Sequence, residues 1–296
     1  MLAFRFRSSC RTSCGKNSSS FKAAWIPAVL LALWVPLSAQ AGVDVQLVTV
    51  DHRQDTPREV PGSLLIEDGS MVIDLSLPPI GQEAKNTSIY RSADKSLVVV
   101  DHGRKAYSVM DNDTIGMIAD EMRASMMKLE QRMATLPPEQ RKLLHDAMTS
   151  RKQETASRTL KTTSEVATVA GYATSKYEVF SGDEKVQEIW VTEWKNIPDG
   201  QEVLGAMEGV DQLFREMKKT FEQVSAGAMG GAPLFDFGSS PFEDVKAMNG
   251  FPVRTRNYQG GRLISETRVE SIETRKLEAA TFQPPADYKK RVMNRE

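Results

Sequence analysis

Residues 175–194 read SKYEVFSGDEKVQEIWVTEW, and this stretch decides the fold class. Two strand-like runs, Ser175 to Phe180 and Lys185 to Trp194, flank Ser181-Gly182-Asp183-Glu184, a short polar connection of the kind that closes a hairpin. The same unit recurs on both sides. Leu64 to Ile66 and Met71 to Ile73 flank Glu67-Asp68-Gly69-Ser70, where Gly69 supplies the positive φ of a tight turn. Leu97 to Asp101 and Lys105 to Met110 flank His102-Gly103-Arg104, and Arg254 to Tyr258 and Leu263 to Thr274 flank Gln259-Gly260-Gly261-Arg262. Ahead of them, Val43, Val45, Leu47 and Thr49 alternate with Asp44 and Gln46, the period of a half-buried strand. Hairpins strung in sequence build antiparallel sheet, because parallel neighbours need long crossovers.

Two segments break that rhythm and predict helices. In the first, Ile115, Ile118, Met122, Met126, Leu129, Met133 and Leu136 recur at spacings of three and four, so they share one stripe. Asp111 or Asp113 is the expected N-cap, and Pro137-Pro138 ends the helix and opens another over Glu139 to Lys152. In the second, Val203, Met207, Val210, Phe214, Met217, Phe221 and Val224 form a similar stripe. Each stripe needs cover, from the sheet or from the other helix. Residues 225–240, SAGAMGGAPLFDFGSS, are rich in glycine and small residues, yet carry Leu234, Phe235 and Phe237. Composition is compatible with a loop folding over an apolar surface and with a plain linker. Repeated βαβ units are absent, which disfavours a doubly wound nucleotide fold.

Composition narrows the setting. The 296 residues are 40% apolar and 26% charged, with 38 basic against 39 acidic side chains. Five of the basic residues (Arg5, Arg7, Arg11, Lys16, Lys22), both cysteines (Cys10, Cys14) and no acid fall in residues 1–41. The other 255 residues therefore carry 33 basic against 39 acidic groups, a charge of −6, and no cysteine. A collagen-like, disulfide-stapled or multi-pass membrane protein is excluded, as is a basic nucleic-acid binder. Ala23 to Leu37, AAWIPAVLLALWVPL, follows the basic stretch and leads into Ser38-Ala39-Gln40-Ala41, the order of a secretory signal peptide cleaved after Ala41. The run is interrupted by Pro27 and Pro36 and is shorter than the roughly 20 apolar residues a membrane span needs. No cysteine follows it for lipid attachment. The expected product is one exported, periplasmic domain over 42–296, with a helical insertion at 113–153, the 225–240 loop and no integral membrane span.

Catalytic constellations are sparse. His52, His102 and His145 each neighbour an aspartate (Asp51, Asp101, Asp146), but adjacent residues on a strand point apart, so these read as histidines in turns. G-x-S-x-G, HExxH, CxxC, P-loop and GxGxxG motifs are missing. A non-enzyme without cofactor, metal or catalytic residues is the expectation. Met117, Met122, Met126, Met127 and Met133 crowd the first helix; such thioethers serve as adaptable apolar filler or binding surface, and in an oxidising compartment as soft Cu(I) ligands. Trp190 and Trp194, four apart on the predicted strand, share a face opposite Ile189 and Val191, either as sheet packing or as the lining of an apolar cavity.

Several short motifs follow one another in order: Tyr90-Arg91, Leu97-Val98-Val99-Val100-Asp101, Tyr107-Ser108-Val109-Met110, Val169-Ala170-Gly171-Tyr172 with Lys176-Tyr177, Glu188-Ile189-Trp190-Val191, Asn249-Gly250-Phe251-Pro252, and Phe282-Gln283-Pro284-Pro285-Ala286-Asp287-Tyr288. Their order resembles a bacterial envelope family known as a domain of unknown function, DUF4412. That family looks like a relative of the lipoprotein-carrier (LolA-like) fold, which implies an α+β architecture: a curved antiparallel sheet, an incomplete barrel, wrapped around two or three amphipathic helices. The resemblance brings no catalytic residues. Leu136-Pro137-Pro138-Glu139-Gln140-Arg141 is similar to helical periplasmic stress and metal-response proteins, the alternative being a Met-rich metal-responsive or chaperone-like protein. The leading expectation is a carrier-type protein that holds a lipid, an acyl chain of a lipoprotein or an apolar segment of an envelope partner. Its cavity between sheet and helices would be lined by Met122, Met126, Leu129, Met133, Trp190, Trp194, Phe214, Met217, Phe221, Phe235 and Phe237.

Overall fold

The computed structural model describes residues 41–75, 86–149, 158–226, 242 and 244–291. The expected signal peptide before Ala41, and Leu234, Phe235 and Phe237 of the glycine-rich segment, lie outside the described residues. The described residues form twelve strands: β1 (Gly42–Asp51), β2 (Arg58–Glu67), β3 (Ser70–Leu75), β4 (Asn86–Arg91), β5 (Ser96–Asp101), β6 (Ala106–Met110), β7 (Arg158–Val169), β8 (Tyr172–Ser181), β9 (Glu184–Glu193), β10 (Gly250–Gln259), β11 (Arg262–Arg275) and β12 (Lys289–Lys290). They form one open sheet in the order β12-β6-β5-β4-β3-β2-β1-β11-β10-β9-β8-β7. All pairs are antiparallel except β12 with β6. The four predicted hairpins are therefore present, and β1 joins the two halves by pairing with both β2 and β11. The β2–β3 turn has positive φ at Asp68 as well as Gly69, which suits the twist of the flanking strands. The α+β class stands, as an open sheet plus, among the described residues, four helices: α1 (Asn112–Ala134), α2 (Pro138–Thr149), α3 (Gly200–Ala226) and α4 (Val245–Met248). No described helix is long and apolar enough to cross a membrane.

Register explains the two faces. Val43, Ile66, Met71, Tyr90, Leu97 and Met110 are successive cross-strand partners across β1 to β6, hence one row on one face. That face packs against α3. Tyr90 lies so close to α3 that a Cβ on Gly209 would stand 2.6 Å from its hydroxyl, and Glu202 accepts a 2.6 Å hydrogen bond from the Asp68 amide. Val203, Met207, Val210, Leu213, Met217, Phe221 and Val224 of α3 are all buried. Each such side chain contributes about 1.5–3 kcal/mol, which outweighs the roughly 1 kcal/mol that an interior glycine costs a helix. Tertiary burial, not propensity, holds α3 together.

The opposite face of the same strands carries Leu65, Val72, Ile89, Val98 and Val109, again direct partners. A separate apolar cluster forms there with Leu277, Phe282 and Tyr288 of the C-terminal segment, which crosses this face as a strap. His102 Nδ1 lies 3.0 Å from the Tyr288 hydroxyl and its Nε2 lies 2.8 Å from Thr87 Oγ1, while Lys289 and Arg291 donate backbone hydrogen bonds to Lys105 and Tyr107.

Candidate functional site

Sequence patterning places the predicted lining residues unequally. Met217 and Phe221 are buried and Phe214 is half-buried against the main core, as an α3 stripe requires. On α1, Asp111 is the N-cap, accepting from the Thr114 amide at 2.8 Å, which holds its carboxyl below the ordinary range. Only Ile115, Ala119 and Met133 of α1 are buried; Ile118, Met122, Met126 and Leu129 between them are half-exposed. The five methionines do not converge. Met117 and Met127 fall off the stripe, at 55% and 52% exposure, so they share no thioether set with Met122, Met126 and Met133.

The tryptophan pair is corrected. Strand β9 ends at Glu193, and Trp194 opens a 3₁₀ turn over residues 194–196, where its ring meets Phe251 edge-on with centroids 6.0 Å apart. A chain that turns out of the strand loses the two-residue alternation, so spacing no longer sets the side. Trp190 does stay on β9, where alternation sets it on the side away from Val43, Val45 and Leu47, although it is buried in the same apolar cluster as they are. The register shows this: Lys176, Trp190, Arg254 and Arg268 are successive partners, and Arg268 stands opposite Val48, one residue out of phase with Val43, Val45 and Leu47. The Trp190 indole, 3% exposed, belongs to the main apolar cluster and not to the strap cluster.

Around Trp190 lies a constellation that the motif search missed. A second row, Glu178, Glu188, Arg256 and Glu266, runs beside the first. The cations of Lys176, Arg254 and Arg256 stand 5.3, 5.0 and 5.2 Å from the Trp190 ring centroid. Glu188 accepts from Lys185 at 2.6 Å and from the Tyr258 hydroxyl at 2.7 Å, with Lys176 Nζ at 3.1 Å. Glu266 accepts from both Arg254 and Arg256. Burial works to raise the Glu188 carboxyl, but the hydrogen bonds from Lys185, Tyr258 and Lys176 outweigh it and hold it at about 2. Glu266 is likewise held low against burial by its two arginines. Burial works to lower Lys176, yet Glu165 and Glu188 keep it above its ordinary value. The signal was present in the sequence as charges at every second position: Lys176 and Glu178, Arg254 and Arg256, Glu266 and Arg268.

This lattice is chemically quiet. A carboxylate held near 2 is a poor proton acceptor at neutral pH, and a lysine held protonated is not a nucleophile. The aspartates that neighbour His52 and His102 have partners of their own. Asp51 is engaged by Arg53 and Asp101 bonds the Arg104 amide, while His102 contacts two hydroxyls. The His145 side chain lies outside those described. Among the described residues, no group of three or more His, Cys, Asp or Glu is placed to hold a metal ion.

Comparison with known proteins adds a partial family match. The model of a domain of unknown function, DUF4412, matches residues 239–288, which hold α4, β10, β11 and most of the strap. Both Asn249-Gly250-Phe251-Pro252 and Phe282 to Tyr288 fall inside it. No curated protein matches the sequence. Among solved structures, an uncharacterized conserved protein from Thermus thermophilus is similar at 7% identity and a TM-score of 0.39, over 85% of this chain and 91% of that one. PNGF-II is similar at 8% identity and 0.36, over 86% and 31%. MucB in complex with MucA(peri) is similar at 10% identity and 0.28, over 84% and 56%. The chain thus spans under a third of PNGF-II and little more than half of MucB.

Proposed function

We propose that this chain is an exported, non-enzymatic binding or carrier-type protein of the bacterial envelope, which takes a lipid, an acyl chain or an apolar polypeptide segment on its helix-covered side. The observation that carries the reading is the contrast between the two long helices. The α3 stripe is buried except at the half-buried Phe214, whereas α1 buries Ile115, Ala119 and Met133 and leaves Met122, Met126 and Leu129 half-buried between them. An aligned apolar strip left part-open on a water-soluble surface forgoes burial that it could have had, and methionine adapts to ligands of varied shape. The leader-like residues 1–41 support export, and the quiet ion lattice supports a role without chemistry.

Organic extraction of the purified protein followed by mass spectrometry tests this, together with titration of an apolar fluorophore. A co-purifying amphiphile is expected, as is fluorophore binding that weakens several-fold when Met122 and Met126 are both replaced by Gln. Absence of an amphiphile together with no fluorophore enhancement would sink the reading.

A further inference from the structure

The methionines of α1 form a graded series of thioethers. Met117 and Met127 are 55% and 52% exposed, Met122 and Met126 are half-buried, and Met133 is buried. Position on the helix accounts for the order. Met117 lies off the apolar stripe, one turn from Asp113, Asp120 and Glu121, and Met127 lies one turn from Arg123 and Glu130. Met122, by contrast, packs against the main core, as Ile118 does. Away from α1, Met71, Met207, Met217 and Met248 are buried as well. Residues 42–296 contain no cysteine, so no thiolate there competes with these sulfurs for an oxidant.

Oxidation of a thioether to the sulfoxide puts a strongly polar group where an apolar one stood. On Met117 or Met127 that group enters water among polar neighbours, and no packing is lost. On Met122 or Met126 it falls within the apolar strip, where it must either be desolvated or open the contact. The same chemical change is therefore silent at two positions of α1 and disruptive at two others. Exposure sets the silent pair to react first.

We propose that α1 is a two-stage oxidation site for a hypohalous acid: while oxidant is limiting, Met117 and Met127 are consumed first, and later oxidation of Met122 and Met126 shuts the apolar strip. In each step one thioether and one hypochlorous acid give one sulfoxide, one chloride and one proton. A sulfur–oxygen bond forms and the oxygen–chlorine bond breaks, with sulfur losing the two electrons that chlorine gains. The order of reaction rests on exposure alone, and its consequence for ligand rests on the carrier reading above.

The test titrates the purified protein with hypochlorous acid and follows each methionine by peptide mass mapping, alongside binding of the apolar fluorophore. Met117 and Met127 are expected to reach half-conversion at several-fold less oxidant than Met122 and Met126, with fluorophore binding unchanged at that stage. Binding should then fall several-fold as sulfoxide accumulates at Met122 and Met126, and return on treatment with methionine sulfoxide reductases for both epimers. In the double variant Met117→Leu with Met127→Leu, unoxidised protein should bind as wild type does, and Met122 and Met126 should convert at less oxidant. Conversion of Met122 and Met126 as early as Met117 and Met127, or conversion unchanged in the double variant, overturns the two-stage order and leaves the carrier reading standing. Binding that survives full conversion of Met122 and Met126 overturns the shut-off. Absence of fluorophore binding before any oxidant is added sinks the carrier reading alone, since the mapping still reads the order.

Discussion

Glu188 shows how one residue sets a pH dependence. Its ordinary value is 4.5 and its folded value is about 2, so the folded state binds this proton more weakly than the unfolded chain does. The stabilisation is therefore complete above 4.5 and lost as pH falls through about 2. A depression of this size is worth about 3 kcal/mol, an order-of-magnitude figure. Urea unfolding of wild type and Glu188→Gln should differ by roughly that amount at neutral pH, and the two curves should converge toward pH 2. A constant gap across the range would mean that Glu188 acts through packing rather than charge. Charges at every second position of these strands are visible in the sequence. The pairing that makes them neighbours is not, because Lys176, Glu188 and Arg256 meet only through the β8–β9–β10 register.

At the scale of the element, α3 contains two interior glycines, Gly205 and Gly209, that a propensity argument treats alike. Gly205 has open space where a Cβ would go, so Gly205→Ala should stabilise by about 1 kcal/mol. Gly209 faces Tyr90, whose ring and hydroxyl lie within 2.9 Å of that Cβ, so Gly209→Ala should instead destabilise by about 1–3 kcal/mol. Thermal unfolding of the two variants reads the sign directly. Matching stabilisation in both would show that α3 does not approach β4 this closely. Apolar spacing in the sequence located α1 and α3 and left their cover open. Trp194 marks a limit of the same kind: a 3₁₀ turn of three residues has no periodicity to announce it.

For the whole molecule, an open sheet has two edges that must be kept from pairing with other chains. The β6 edge is occupied by the strap, through β12. The β7 edge is long and carries Val166 at 76% exposure, but Thr162 opposes Tyr177 while Val166 opposes Ser175, so three residues face one. This bulge lets Glu165 reach Lys176 at 3.0 Å and breaks the edge into two short pieces. Deleting Thr163 and Ser164 to regularise β7 should produce concentration-dependent self-association, visible by sedimentation or size exclusion; a strictly monomeric profile would count against the guard. The strap carries weight of its own. Phe282→Ala should cost about 3–5 kcal/mol, because it empties the centre of the second apolar cluster. A loss below about 1 kcal/mol in chemical denaturation would show that the strap is dispensable.

Local signals determined much of this protein. Turn residues between short apolar runs specified the hairpins, three-and-four spacing specified the long helices, and Asp111 announced the start of α1. These features depend on neighbours within a few residues, which is why a single chain discloses them. Only the tertiary structure decided which face each strand presents, that cations gather around the Trp190 ring, and that α1 buries fewer of its apolar side chains than α3 does. Those outcomes depend on cross-strand register and on contacts between segments as distant as Arg91 and Gln283, or Asp68 and Glu202. Periodicity fixes what a side chain needs, and packing alone fixes which partner meets the need.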